Sequence, residues 1–498
     1  MSESSLNHYT TTHEHRSRLQ RGTVLAVASI AQFMVVLDVT IINVALPQMR
    51  TGLHMSTSGQ QWVINAYALT FAGFLMLGGR AADVFGRRRV FMVGLGTITL
   101  FSLLGGFAQT GAELIAARAA QGIGCAILAP ASLSLLTATF TDQHERRQAL
   151  GVWSATAASG AAGGLFLGGL LTDLLGWRWV LFVNVPIVIA LVAGSLPSLS
   201  KSTVGLANRR LDLAGAVTVT AGMALVVFGT VSTDSDTWSS PRTIATLAGG
   251  AALLVSFVVI EARFASNPIV PLRTFRRRTL TQANVQSTIV GAVVFGSYFF
   301  LSLYLQDVKH YSPLRAGQAF LPLGLMKFAG ALVASRLVRR LGIKRQLVIA
   351  PLVTAAAVFW LNHLTAHSSY LGSLLVPLLL VGASIGVTFV PMTMEATMGV
   401  PPAESGLASG LLNTSRQVGG ALGLAVLATI ATAATHHADG LGAPHLAALT
   451  QGYTRGFLVI AAISVLGAVS AAFLSTSTPS QNGRGAAPDE SELTEVTV

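Results

Sequence analysis

Charge is what this sequence has least of. Only 10% of its 498 residues are Asp, Glu, Lys or Arg, against roughly a quarter in soluble domains. A soluble chain of this length needs charge over a wide wet surface, so a soluble enzyme and a nucleic-acid module are both excluded. Cysteine is nearly missing, and the single Cys125 rules out a disulfide framework within the chain. No Gly-Lys-Ser or Gly-Lys-Thr occurs, so the phosphate-cradling loop of nucleotide-driven machines is not there. No His, Cys, Asp and Glu group stands at catalytic or metal-ligand spacing, which argues against an enzyme and against a bound metal or cofactor. What the chain does have is 52% hydrophobic residues and 50 glycines. That much apolar surface excludes disorder and leaves an all-α, multi-pass membrane protein.

A bilayer core takes about 20 apolar residues as helix. On that window the sequence predicts fourteen spans: 24–46, 60–79, 90–108, 112–136, 148–171, 178–196, 213–232, 243–262, 280–305, 316–335, 346–363, 372–394, 406–433 and 456–474. Residues 1–21 and 476–498 read as polar tails, and the first span reads as a retained helix rather than a signal peptide. Cytoplasmic loops collect Lys and Arg. With both termini inside, 23 of the 32 basic residues fall on inner loops, six on outer loops and three within spans. The net charge of +12 is therefore a topology signal in a cell membrane and needs no nucleic acid as partner.

One segment occurs twice. RAADVFGRRR (Arg80 to Arg89) and RLVRRLGIKR (Arg336 to Arg345) both place Arg six residues before Gly, then a basic cluster, and they lie 256 residues apart. Parallel repeats of this kind build two-bundle transporters with a central site. The expected organisation is a bundle over 22–200, two inserted spans over 201–275, and a second bundle over 276–475. In the first copy Gly86 permits a turn with positive φ, and Asp83 is an acid placed to pair with Arg or cap a helix.

Gly79, Asp83, Gly86, Arg87 and Arg88 stand at the spacing of the signature loop of the major facilitator superfamily, which this segment resembles. Other segments narrow the likeness: LDVTIINVALP (Leu37 to Pro47), LIAARAAQGIGCA (Leu114 to Ala126), GWRWVLFVNVP (Gly176 to Pro186), YLQDV (Tyr304 to Val308) and SGLASGLLNTSRQVGGALG (Ser405 to Gly423). With fourteen spans, the chain is similar to the 14-span drug:proton antiporters of EmrB/QacA type, from about residue 22 to 474. That resemblance implies a major facilitator fold of two six-helix bundles plus two inserted helices. It also implies export of a small lipophilic drug or antibiotic in exchange for protons, with no cofactor and with the chain expected to act as a monomer. Span 5 carries the family's antiporter pattern at Gly151, Gly160, Gly164, Gly168 and Gly169, but Leu165 stands where the pattern has Pro. Glycines four apart form a stripe that lets a neighbouring helix come close, and without Pro no kink is imposed. Plain small-residue packing explains the same stripe.

Four charged residues fall well inside spans: Asp38, Arg118, Lys327 and Arg416. Left unpaired they would cost on the order of 10 kcal/mol on insertion scales. Asp38 lies about 12 Å and Arg118 about 9 Å from the outer ends of their spans, at 1.5 Å per residue, so the two share a depth. Burial disfavours an ionised Asp and a nearby Arg favours it, so a change of surroundings would load and unload a proton at Asp38, with Arg118 modulating it. A static pair that orients two helices is the other reading. Lys327 and Arg416 suit an anionic or electron-rich part of a substrate, or else a satisfied helix contact. Trp62, Tyr67, Tyr298 and Asn413 are further candidates for the cavity wall. Two other functions stay open: proton-coupled movement of another metabolite through the same fold, and a non-transporting membrane sensor or assembly subunit.

Overall fold

Backbone polar groups have no water to bond inside a bilayer, so each apolar segment must satisfy its own, which a helix does. The computed structural model describes residues 3–198, 212–232, 239–265, 268–270, 272–398, 400 and 405–473, and among these no strand occurs. Its helices are α1 (Glu3–Gly52), α2 (Thr57–Phe85), α3 (Arg87–Gly106), α4 (Gly111–Thr139), α5 (Gln143–Leu175), α6 (Trp179–Ser195) and α7 (Leu213–Ser232). They continue as α8 (Pro241–Phe264), α9 (Arg278–Val308), α10 (Pro313–Leu341), α11 (Ile343–Leu361), α12 (Tyr370–Thr397), α13 (Ser405–Gly440) and α14 (His445–Ala472). Thirteen of the fourteen are long and apolar enough to cross a membrane, and α6 is a shorter apolar helix.

Local chemistry sets several of the helix starts. Ser56 Oγ accepts from Gly59 N at 3.1 Å, and Asp142 Oδ1 accepts from His144 N and Glu145 N at 2.9 Å each. These bonds satisfy donors that a first turn leaves open. Gly86 (φ +89°) joins α2 to α3, and Gly342 (φ +81°) joins α10 to α11. The two halves of the repeat thus turn on the same left-handed glycine, a conformation costly for any other residue.

Packing repeats as well. In the first bundle α1 lies on α5, α2 on α4 and α3 on α4; in the second α9 lies on α13, α10 on α12 and α11 on α12. The bundles meet along α2 with α13 and along α5 with α10. The α7–α8 hairpin packs with α7 against both α2 and α13, around Leu69, Met223, Val227 and Ala425. Toward the face opposite the basic loops the halves are bonded together. Ser302 Oγ donates to the Asn43 carbonyl at 2.7 Å, and Gln306 Nε2 donates to the Val44 carbonyl at 3.0 Å.

The first polar tail is helical and continuous with the span: α1 runs from Glu3, because no proline or glycine interrupts it before Gly22 and extending a helix is easier than nucleating one. One expectation changes. The sixth span is not one uninterrupted helix. A turn Trp179–Phe182 is followed by a restart at Asn184, where Pro186 has no N–H to bond back into the preceding turn. The link 199–211 and the tail 474–498 lie outside the described residues.

Candidate functional site

Asp38 and Arg118 meet. Arg118 Nη1 lies 2.7 Å from Asp38 Oδ2, with side-chain exposures of 2% and 1%. α1 brings the acid and α4 the base, at the common depth that residue counting predicts. The pair sits in a wider network. Asn184 Nδ2 donates to Asp38 Oδ1 at 2.8 Å and stands 3.2 Å from Ser102 Oγ. Gln121 Nε2 donates to Ser102 Oγ at 2.7 Å, and Gln121 Oε1 accepts from Arg118 Nη1 at 3.0 Å. Arg118 Nε reaches the Val63 carbonyl at 3.4 Å, and its guanidinium lies 4.3 Å from the centre of the Tyr67 ring. Groups from α1, α2, α3, α4 and α6 therefore converge on one ion pair. Such pairs tolerate burial only when their remaining donors and acceptors are also bonded.

Three members of this network, Asn184, Ser102 and Gln121, were not singled out by sequence reasoning. Asn184 and Gln121 do fall within GWRWVLFVNVP and LIAARAAQGIGCA, and the restart of α6 is what turns Asn184 toward Asp38. Ser102 carried no signal, being one of many small polar residues in apolar helices.

The aromatic candidates separate. Tyr67 does not line an open cavity: it is 1% exposed, lies under Arg118 and stacks on Phe71 with ring centres 5.9 Å apart. Trp62 is partly exposed. Its ring lies 6.3 Å from that of Phe228, so it braces the inserted hairpin, whose apolar surface needs cover. Tyr298 stays with the second half's cations, its ring centre 6.0 Å from Lys327 Nζ. Lys327 Nζ is 5.6 Å and Arg416 Cζ is 5.2 Å from the centre of the Phe389 ring. Arg416 Nη2 donates to Asn413 Oδ1. Neither cation pairs with a carboxylate among the described residues.

The glycine stripe of α5 is a contact surface. A Cβ on Gly160 would stand 2.8 Å from the Phe33 carbonyl, and one on Gly168 would stand 2.5 Å from the Ile41 carbonyl. Gly164 abuts Thr40, and Gly169 abuts Pro313 of α10. Gly151 has nothing within 4 Å. Leu165 is 1% exposed and sits in an unbroken α5, and its carbonyl lies 2.7 Å from where a Gly317 Cβ would be. So Gly160, Gly164 and Gly168 face α1, the helix that bears Asp38, while Leu165 and Gly169 face the other bundle. In the signature loop a Cβ on Gly79 would stand 3.7 Å from the Pro130 side chain, and Arg87 and Arg88 are half-buried. The expectation for the Asp83 carboxylate lies outside the described side chains.

Residues 28–424 match the family model of the Major Facilitator Superfamily. The cephamycin export protein CmcT of Amycolatopsis lactamdurans is 42% identical over 465 residues, 92% of this chain and 94% of that one. The puromycin resistance protein pur8 of Streptomyces alboniger is 40% identical over 446 residues, 89% and 88% of the two chains. Among solved structures, an auto-inhibited POT family peptide transporter superposes with a TM-score of 0.65 at 16% identity, over 91% of this chain and 96% of that one. This last likeness speaks for the fold alone.

Proposed function

The chain belongs to the major facilitator superfamily, and from that premise we propose that it is a secondary transporter exporting small lipophilic drugs or antibiotics across the cell membrane in exchange for protons. The names of its relatives, a cephamycin export protein and a puromycin resistance protein, support the direction and the class of cargo. The observation that carries the coupling is the buried Asp38–Arg118 pair. In this reading the basic loops and both termini face the cytoplasm.

The bundles rock about their shared contacts, α2 with α13 and α5 with α10. The conformation seen here is bonded shut on the face away from the basic loops. While Asp38 is ionised, Arg118 and Asn184 hold it, and α1, α4 and α6 move as one. When water reaches Asp38, a proton adds to its carboxylate and the charge that held Arg118 is gone. Arg118 keeps Gln121 and the Val63 carbonyl as hydrogen-bond partners, and the water that brought the proton solvates its charge. α1 is then free to shift on the smooth α5 stripe. The gradient provides the energy: about 2.3 kcal/mol per charge for 100 mV and about 1.4 kcal/mol per pH unit.

The test is an efflux panel in cells and everted vesicles. Wild type is expected to protect against at least one antibiotic and to lose that protection with a protonophore, and Asp38→Asn is expected to lose it without one. Protection that survives collapse of both the pH difference and the voltage overturns the reading.

A further inference from the structure

The second bundle holds two cations that pair with no carboxylate among the described residues. Lys327 on α10 and Arg416 on α13 approach the same ring, Phe389 of α12, and the Tyr298 ring of α9 lies 6.0 Å from Lys327 Nζ. Both cations are half-buried. Their neighbours supply ring faces and one amide, Asn413. The acid on these four helices nearest in sequence is Glu395, two turns along α12 from Phe389. It is 2% exposed, both its oxygens lack a hydrogen-bond partner among the described residues, and it forms no ion pair with either cation. Ring faces attract cations only weakly compared with a carboxylate. Two like charges held around one ring in a poorly solvated site are therefore short of negative charge. The first bundle has the opposite arrangement, since its Arg118 is matched by Asp38.

We propose that the Lys327–Phe389–Arg416 cluster binds the anionic head of an amphiphilic organic anion, with Phe389 and Tyr298 against its apolar body. The proposal deepens the export reading and rests on it by naming the class of cargo. A guanidinium offers a planar fork that matches a carboxylate, and an ammonium adds a point charge. Together they grip a carboxylate, sulfonate or phosphate from two helices. The two helices, α10 and α13, make the most extensive contacts of the second bundle with the first, so an anion bridging them lies where the halves move against each other. A lipid phosphate on an acyl body shares this chemistry, and the experiment separates it from soluble cargo.

The full chain is placed in phosphatidylcholine nanodiscs. Binding of 1-pyrenebutyrate is compared with that of its neutral amide by pyrene fluorescence. Wild type is expected to bind the carboxylate about tenfold or more tighter than the amide, the scale of a hydrogen bond to a charged group. Lys327→Gln with Arg416→Gln is expected to abolish that preference, and Lys327→Arg, which keeps the charge, to retain it. If the double variant does not fold, Arg416→Gln alone carries the test through a several-fold loss. Asp38→Asn is expected to keep the preference, because the first bundle's pair is not in this site. Should Asp38→Asn still transport, the proton reading fails while this one stands. Equal binding of both probes, binding of neither, or a preference that survives removal of both cations overturns the proposal. Added phosphatidylglycerol that displaces pyrenebutyrate from wild type in the nanodiscs, with no uptake of either probe by proteoliposomes holding the same chain, assigns the cluster to lipid and overturns the cargo assignment.

Discussion

Removing the Asp38 charge tests the centre of this account. At 2.7 Å and an effective dielectric of about 20, the Coulomb attraction of the pair is about 6 kcal/mol. Desolvation of the two ions opposes it with several kcal/mol each, so the net value of the intact pair is small. Breaking it from one side is another matter. Asp38→Asn leaves the Arg118 guanidinium, 2% exposed, with Gln121, the Val63 carbonyl and the Tyr67 ring. An uncompensated buried charge of this kind costs roughly 3–5 kcal/mol. Arg118→Met is expected to cost less, because the stranded carboxylate escapes by taking a proton and keeps its bond from Asn184. In the double variant no charge is stranded, so its loss is expected to be smaller than that of Asp38→Asn alone. The measurement is a double-mutant cycle on thermal or denaturant unfolding in detergent, with proton-driven efflux read in parallel. A coupling energy below about 1 kcal/mol would be inside the range of an exposed surface pair and would refute the claim that these residues form a buried, mutually dependent unit. Normal pH-driven efflux in both single variants would refute the coupling role even if the stability cycle came out as expected.

Other outcomes follow from neighbouring contacts. Asn184→Leu removes the only described donor to Asp38 Oδ1, since Arg118 bonds Oδ2, and efflux is expected to drop about tenfold while expression and the cargo-binding preference hold; unchanged efflux counts against a positioning role. Gly164→Val puts a branched side chain against Thr40 and is expected to abolish efflux or assembly. Gly151→Ala, with open space around it, is expected to leave both unchanged, and equal effects of the two would show that the stripe is not a contact surface. Gly86→Ala and Gly342→Ala each force a left-handed backbone and are expected to destabilise by about 1–2 kcal/mol apiece, read as matching losses in unfolding midpoint; a large effect at one position and none at the other would contradict the equivalence of the two halves.

Hydropathy, basic-loop sorting and the repeated Arg-to-Gly segment were enough to predict fourteen helices in two related bundles with an inserted pair, because each follows from local composition and a fixed length of 1.5 Å per residue. The pairing of Asp38 with Arg118 was legible for the same reason: a charge in lipid is expensive, and counting from the span ends gives its depth. The α5 stripe could be read as a smooth surface, with Gly160, Gly164 and Gly168 on one face.

What residue counting leaves open is rotation about each helix axis and the choice of neighbour. A span may turn freely without changing its hydropathy, so the cavity wall expected of Tyr67 is not what this buried ring provides. Only packing turned Trp62 to the inserted hairpin and Tyr67 under Arg118. The shortened α6, restarting at Asn184 below Pro186, brought an amide to Asp38 that no charge count would flag. The sharing of Phe389 by Lys327 and Arg416 is of the same kind, since those residues are 62, 27 and 89 positions apart in pairs along the chain and meet only because α10, α12 and α13 close around one another. Sequence determined which segments are buried in lipid and at what depth their charges sit, since both are set by transfer free energies of single residues. Tertiary structure alone decided which side chains face one another, since that depends on contacts between helices far apart in the chain.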